Sequence, residues 1–329
     1  MKRLKSYLET TREVAQLQQE VLRLRRELEN KEHLINELQA IQDAEHLVKP
    51  ENIVWIFGSG RSGSTWLSSM MGALDRQTVW DEPWVGTLFG NFYYQAGERR
   101  HQGPHFILGL HKESWLQSIR NFVLERAMAT FPNLTDGDYL IIKEPNGSIG
   151  APLMVEALPK SRMVLLVRDP RDVVASNLDG RREGGWNFER NKNGTRRQWK
   201  EPPTKDSVYW AERLSQAYVR QLGKAKQAYD THEGAKVLVR YEELRVDTVG
   251  TLKRIYSTLG ITVDEQQIER AVDGHAWENI PEEQKGEGKF YRKATPGSWR
   301  NDLTPEQVCK VEEVTHALLN ELTLSAVNA

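Results

Sequence analysis

Residues 53–66 read Ile53-Val54-Trp55-Ile56-Phe57-Gly58-Ser59-Gly60-Arg61-Ser62-Gly63-Ser64-Thr65-Trp66. The apolar run 53–57 suits a strand buried on both faces. The glycine-rich stretch after it predicts a tight turn, and Ser64-Thr65 the start of a helix. A strand, a glycine-rich turn and a helix N-terminus together offer unpaired backbone N–H groups to an anion. The loop is the first candidate binding site, with Gly60, Arg61, Ser62, Gly63, Ser64, Thr65 and Trp66 as its residues.

Downstream the chain alternates strand and helix patterns. Strands are expected at 53–57, 139–143, 163–167 and 236–240. Helices are expected at 64–74, 112–130, 151–158, 171–178, 206–230, 248–259, 264–273 and 305–321. Thr304-Pro305-Glu306-Gln307 is a helix start with Thr as cap, Pro at the first position and Gln at the third. The alternation predicts an α/β domain over 51–329, a parallel sheet flanked by helices. Residues 181–205, rich in Arg, Gly, Asn and Pro, read as a long basic loop, a candidate lid.

Residues 1–48 contain no Gly or Pro. Tyr7, Val14, Val21, Leu28, Ile35 and Gln42 fall seven apart, interleaved with Thr10, Leu17, Leu24, Lys31 and Leu38. This is an a/d seam over about five heptads, expected to form a coiled-coil helix and a homo-oligomer. The remaining composition is restrained. Lys plus Arg number 45 against 46 Asp plus Glu, which gives no electrostatic case for nucleic acid. The single cysteine, Cys309, suits a reducing compartment. No apolar run reaches the length of a membrane span. A soluble, cytoplasmic protein is expected.

Three further segments carry chemistry. Met163-Val164-Leu165-Leu166-Val167-Arg168-Asp169-Pro170 is a strand ending in Arg168, and Ser176 follows eight residues later, over the same groove after two helical turns. Arginine with a serine hydroxyl makes a phosphate clamp. Arg292-Lys293-Ala294-Thr295-Pro296-Gly297-Ser298-Trp299-Arg300-Asn301 is a second basic segment. Val237-Leu238-Val239-Arg240-Tyr241-Glu242-Glu243-Leu244 is a strand ending in Tyr241. A nucleotide P-loop set on Gly58 and Gly63 requires Lys where Ser64 stands, and the 163–167 strand ends in Arg rather than an acid, so an ATP kinase fits poorly.

Taken in order, these segments resemble the sulfotransferases that use 3′-phosphoadenosine 5′-phosphosulfate (PAPS) and release 3′-phosphoadenosine 5′-phosphate (PAP). The resemblance covers roughly residues 53–304 and implies the sulfotransferase fold, a PAPS cofactor and no metal. It implies a 5′-phosphosulfate loop at 58–66 and a 3′-phosphate site of Arg168, Ser176, Arg292 and Lys293. Trp66 and Tyr241 then lie near adenine. Ala294 replaces the family's glycine and can still donate its backbone N–H if its φ is negative. Lys143 matches a lysine that can touch the sulfuryl or bridging oxygen. The cytosolic members place a histidine base where Pro145 stands here. The base is therefore sought in Glu82, of Trp80-Asp81-Glu82-Pro83-Trp84, with a spacing after Arg61 like that in carbohydrate sulfotransferases. Glu144 is the alternative and His111 a third. Glu82, Arg61 and Lys143 are thus the catalytic candidates.

The cations and aromatics of 181–205 suit an acidic glycan as acceptor, with a small phenol or alcohol as alternative. A non-catalytic coiled-coil adaptor is the rival class. Removing residues 1–48 is expected to lower the oligomeric state and to leave an active domain. Light scattering that finds the same mass per particle with and without the segment contradicts the heptad reading.

Overall fold

The computed structural model describes residues 16–34, 48–94, 112–192, 204 and 206–327. Strand β1, Ile53–Gly58, is buried along its whole length. It lies inside a five-stranded sheet with β2 (Gln77–Asp81), β3 (Tyr139–Lys143), β4 (Arg162–Val167) and β5 (Lys236–Arg240), in the order β2-β3-β1-β4-β5. Every pairing is parallel. The expected strands are present, and β2 is an addition. The reading missed it because Gln77–Asp81 is an edge strand without a fully buried residue.

The period of two divides the apolar strands between two cores. Ile53, Trp55 and Phe57 face one side with Leu140, Ile142, Met163 and Leu165. Val54 and Ile56 face the other with Ile141, Val164, Leu166 and Val239. Trp55 and Phe57 stack at 5.3 Å, and the Trp55 indole N–H donates to Ser161 Oγ at 3.2 Å.

Helices cover both faces. Residues 16–34 form α1. Then come α2 (Ser64–Gly72), α3 (Lys112–Thr130), α4 (Ala151–Ala157), α5 (Pro170–Arg181), α6 (Trp186–Lys192) and α7 (Val208–Thr231). They are followed by α8 (Tyr241–Val246), α9 (Thr248–Leu259), α10 (Glu265–Gly274) and α11 (Pro305–Val327). Residues of α3, α4, α7 and α11 fill the first core, and those of α2, α8, α9 and α10 the second. The expected capping box opens α11: Thr304 N–H donates to Gln307 Oε1 at 2.9 Å, and Gln307 N–H to Thr304 Oγ1 at 3.3 Å.

One reading changes. The stretch 181–205 is not one loop: Arg181 closes α5, and Trp186–Lys192 form α6. Trp186 decides this, since its ring packs edge-on against Phe290 at 5.2 Å and anchors a polar helix by one face. Residues 193–203 and 205 lie outside the described residues, as do 1–15, 35–47 and His111. On α1, Leu17, Val21, Leu24 and Leu28 are exposed. Among the described residues no helix is long and apolar enough to cross a membrane.

Candidate active site

Because all five strands run parallel, their C-terminal ends share one edge of the sheet, the usual place for a ligand crevice in open α/β sheets. Each end delivers a residue singled out above. The glycine-rich loop follows β1, Glu82 follows β2, Lys143 ends β3, Arg168 follows β4 and Tyr241 follows β5. They surround a cavity of about 820 Å3, within the range of small-molecule sites. Gly60, Arg61, Gly63, Ser64, Thr65, Trp66, Glu82, Lys143, Arg168, Ser176, Tyr241, Arg292, Lys293 and Ala294 all line it. Ser62 does not; it is fully buried and its N–H is taken by Ser59 O at 3.3 Å.

The loop is shaped by close packing. Gly63 has φ +92°, and a Cβ there would stand 2.5 Å from the Tyr241 ring. It precedes α2 with no side-chain cap, so the first N–H groups of that helix point into the cavity's wall unclaimed by a cap. Arg61, also left-handed at φ 71°, sends its guanidinium away from its own loop. Its Nε donates to Ser176 Oγ at 3.0 Å and an Nη to Phe290 O at 2.6 Å, while the group lies over the Trp186 and Phe290 rings at 5.1 and 4.6 Å.

Arg61 therefore joins the phosphate candidates. Burial, then the charges of Arg168 and Arg292, pull its pKa down to about 10, so it remains a cation at neutral pH under repulsion. Arg168 donates to Arg61 O at 3.0 Å, lies 4.2 Å over the Tyr241 ring, and has a buried Nε with no hydrogen-bond partner. Arg292 and Lys293 both pair with Asp302, the latter at 2.8 Å. Clustered guanidiniums with an orphaned buried donor fit an anionic group bearing several oxygens.

Trp66 donates from its indole to His275 O at 2.8 Å, meets Tyr241 edge-on at 6.4 Å and carries Arg245 over its ring at 5.0 Å. It is a fixed aromatic wall. Ala294 departs from expectation: its φ is +50°, the left-handed region that suits the glycine it replaces, not the negative value required above.

At the other end Lys143, 2% exposed, is held by three groups: Asp81 Oδ1 at 2.6 Å, Glu82 Oε1 at 3.0 Å and Thr65 Oγ1 at 3.1 Å. The second Glu82 oxygen accepts from Asn146 Nδ2 at 2.7 Å. Glu82 is partly exposed to the cavity, within reach of a ligand. Glu144 is fully buried and does not line it. One of its oxygens accepts the Trp84 N–H at 2.9 Å. Glu144 thus secures the turn carrying Glu82, where φ is +47° at Glu82 and +65° at Trp84. The sequence reading missed Asn146 and Asp81; the turn after β3 and the residue before Glu82 were their only signals. Among the described residues no cluster of His, Cys, Asp or Glu is grouped to hold a metal ion.

The sequence model of the family described as "Sulfotransferase domain" matches residues 51–323. The chain belongs to the sulfotransferase family. A crystal structure of mouse sulfotransferase SULT7A1 complexed with PAP matches at 16% identity over 85% of this chain and 88% of that one, TM-score 0.51. Sulfotransferase STF9 from Mycobacterium avium matches at 11% identity over 88% and 80%, TM-score 0.50. These likenesses establish the shared fold. No curated protein sequence matches.

Burial raises the Glu144 carboxyl from an ordinary 4.5 to about 8; the Trp84 N–H opposes the rise and the Glu82 charge adds to it. The folded sulfotransferase therefore holds a proton that the unfolded chain releases. The associated stability is complete below pH 4.5 and is lost as pH rises through about 8. Glu144→Gln, which keeps an acceptor for Trp84, is expected to abolish this slope of up to about 1.4 kcal/mol per pH unit. Chemical denaturation at pH 5 and pH 8 checks it; parallel losses in both proteins contradict the assignment.

Proposed function

We propose that this sulfotransferase moves the sulfuryl group of PAPS to a hydroxyl of an acidic glycan, with Glu82 as general base. The observation that carries the reading is the division of one cavity into a cationic end and a carboxylate–lysine end. Arg168, Ser176, Arg292 and Lys293, with Arg61 beside them, are suited to the 3′-phosphate. The backbone of Gly63, Ser64 and Thr65 is suited to the 5′ end, and Trp66 and Tyr241 to the adenine face. PAPS, when bound, supplies the sulfuryl group and leaves as PAP.

Glu82 takes the acceptor proton. Its two oxygens are fixed by Lys143 and Asn146, so the base is oriented before the acceptor arrives. Lys143 bridges Glu82 to Thr65 at the start of α2 and offers positive charge where the departing phosphate oxygen gains negative charge. Arg181, Arg190 and Trp186 line the same cavity and support an acceptor with anionic groups on a stackable ring. The exposed Leu17, Val21, Leu24 and Leu28 of α1 support pairing with a second copy of the chain.

Transfer of radiolabelled sulfate from PAPS tests this. Glu82→Gln is expected to lose about two to four orders of magnitude in turnover with PAP affinity retained; wild-type turnover in the variant removes Glu82 from the role. The KM for an anionic glycan is expected to rise with salt and in Arg190→Ala. Neutral phenols turned over faster, without a salt effect, contradict the glycan.

A further inference from the structure

The two halves of the cationic end come from distant parts of the chain. Arg168 and Ser176 bracket the first turns of α5, and Arg292 and Lys293 precede the short turn Ser298–Asn301. Some device has to register one half against the other, because both carry positive charge and repel.

Asp172 lies between Arg168 and Ser176, four residues from each, and is 1% exposed. Its Oδ2 accepts the Gly297 N–H at 2.7 Å. Its Oδ1 accepts the Trp299 N–H at 3.0 Å and the Ser298 hydroxyl at 3.4 Å. One buried carboxylate thus fastens the 297–299 backbone to α5. Gly297, at φ +78°, bends the chain so that these donors converge.

The fastened turn leads directly to Asp302, whose N–H donates to Trp299 O at 3.0 Å. Asp302 in turn pairs with both Arg292 and Lys293. It does not line the cavity, whereas both cations do. It therefore grips them from behind and leaves their remaining donors facing inward.

We propose that Asp172, acting through the 297–299 backbone and Asp302, is a positioning residue that sets Arg292 and Lys293 against Arg168 and Ser176 to form a single 3′-phosphate site. The inference rests on the nucleotide reading above. Asp172 gives this chain its preference for nucleotides with a 3′-phosphate and takes no part in proton or sulfuryl transfer.

Charge and position predict opposite signs, which makes the idea testable. Neutralising a carboxylate beside four cations strengthens anion binding if electrostatics alone operates. Asp172→Asn keeps the shape but has one acceptor oxygen, and its amide N–H2 then faces a backbone N–H. If position matters, binding weakens.

The experiment is calorimetric titration of the full-length chain and of Asp172→Asn with PAP and with AMP, which lacks the 3′-phosphate. The expected result is an increase of about ten-fold or more in Kd for PAP, with Kd for AMP changed by less than about two-fold, as AMP does not engage the clamp. Unchanged or tighter PAP binding overturns the proposal. If Asp172→Asn fails to fold, Asp302→Asn reads the same linkage one step on: a selective loss of PAP affinity supports the proposal, and retained affinity overturns it. A wild-type chain that binds PAP and AMP equally well overturns the nucleotide reading itself, and this inference with it.

Discussion

Like charges are forced together at one end of the cavity, and much of the surrounding structure serves to keep them there. The Arg61 guanidinium is held near those of Arg168 and Arg292 closely enough that burial and mutual repulsion lower its proton affinity. Repulsion of this kind is tolerated only where the scaffold over-determines the positions. Here it is offset by aromatic faces under Arg61 and Arg168, by the carboxylate of Asp302, and by the Asp172 bonds to the 297–299 backbone. An anion with several oxygens relieves the repulsion, so the scaffold holds these cations preorganised for such a group.

Backbone strain shapes both ends of the cavity. Among the described residues five non-glycine residues have positive φ, and four of them, Arg61, Glu82, Trp84 and Ala294, line the cavity. Such conformations cost on the order of 1–3 kcal/mol each and collect at functional sites. At Glu82 the cause is visible. Its N–H donates to Lys143 O at 2.9 Å, Pro83 follows, and the buried Glu144 holds Trp84 N–H. These three constraints turn the chain sharply out of β2, so that the Glu82 carboxylate faces Lys143 and Asn146 instead of continuing along the strand. Glu144, considered as a base from sequence, is the support for the residue that competes with it for that role.

Four of the five strands were legible because each carries an unbroken run of three or more apolar residues, at 53–57, 140–142, 163–167 and 237–239. β2 was illegible because Gln77–Asp81 has only Val79 and Trp80 as an apolar run. The binding residues were legible because they follow strand ends in short local motifs. What no local pattern reveals is registration: Asp172 with Gly297 and Trp299, Arg61 with Ser176 and Phe290, Lys143 with Thr65. Each joins residues at least 78 positions apart. The same limit explains α6, whose polar sequence reads as loop until Phe290 supplies a partner for Trp186.

One nucleotide is expected to span both ends of the cavity, in a single orientation. A crystal structure of the chain with PAP tests it most directly. The account predicts the 3′-phosphate between Ser176 and the guanidiniums of Arg168 and Arg292, with Lys293 beside it. It predicts the 5′-phosphate against the N-terminus of α2 next to Lys143, and adenine against Trp66 and Tyr241. PAP bound in the reverse orientation, or outside this cavity, contradicts it.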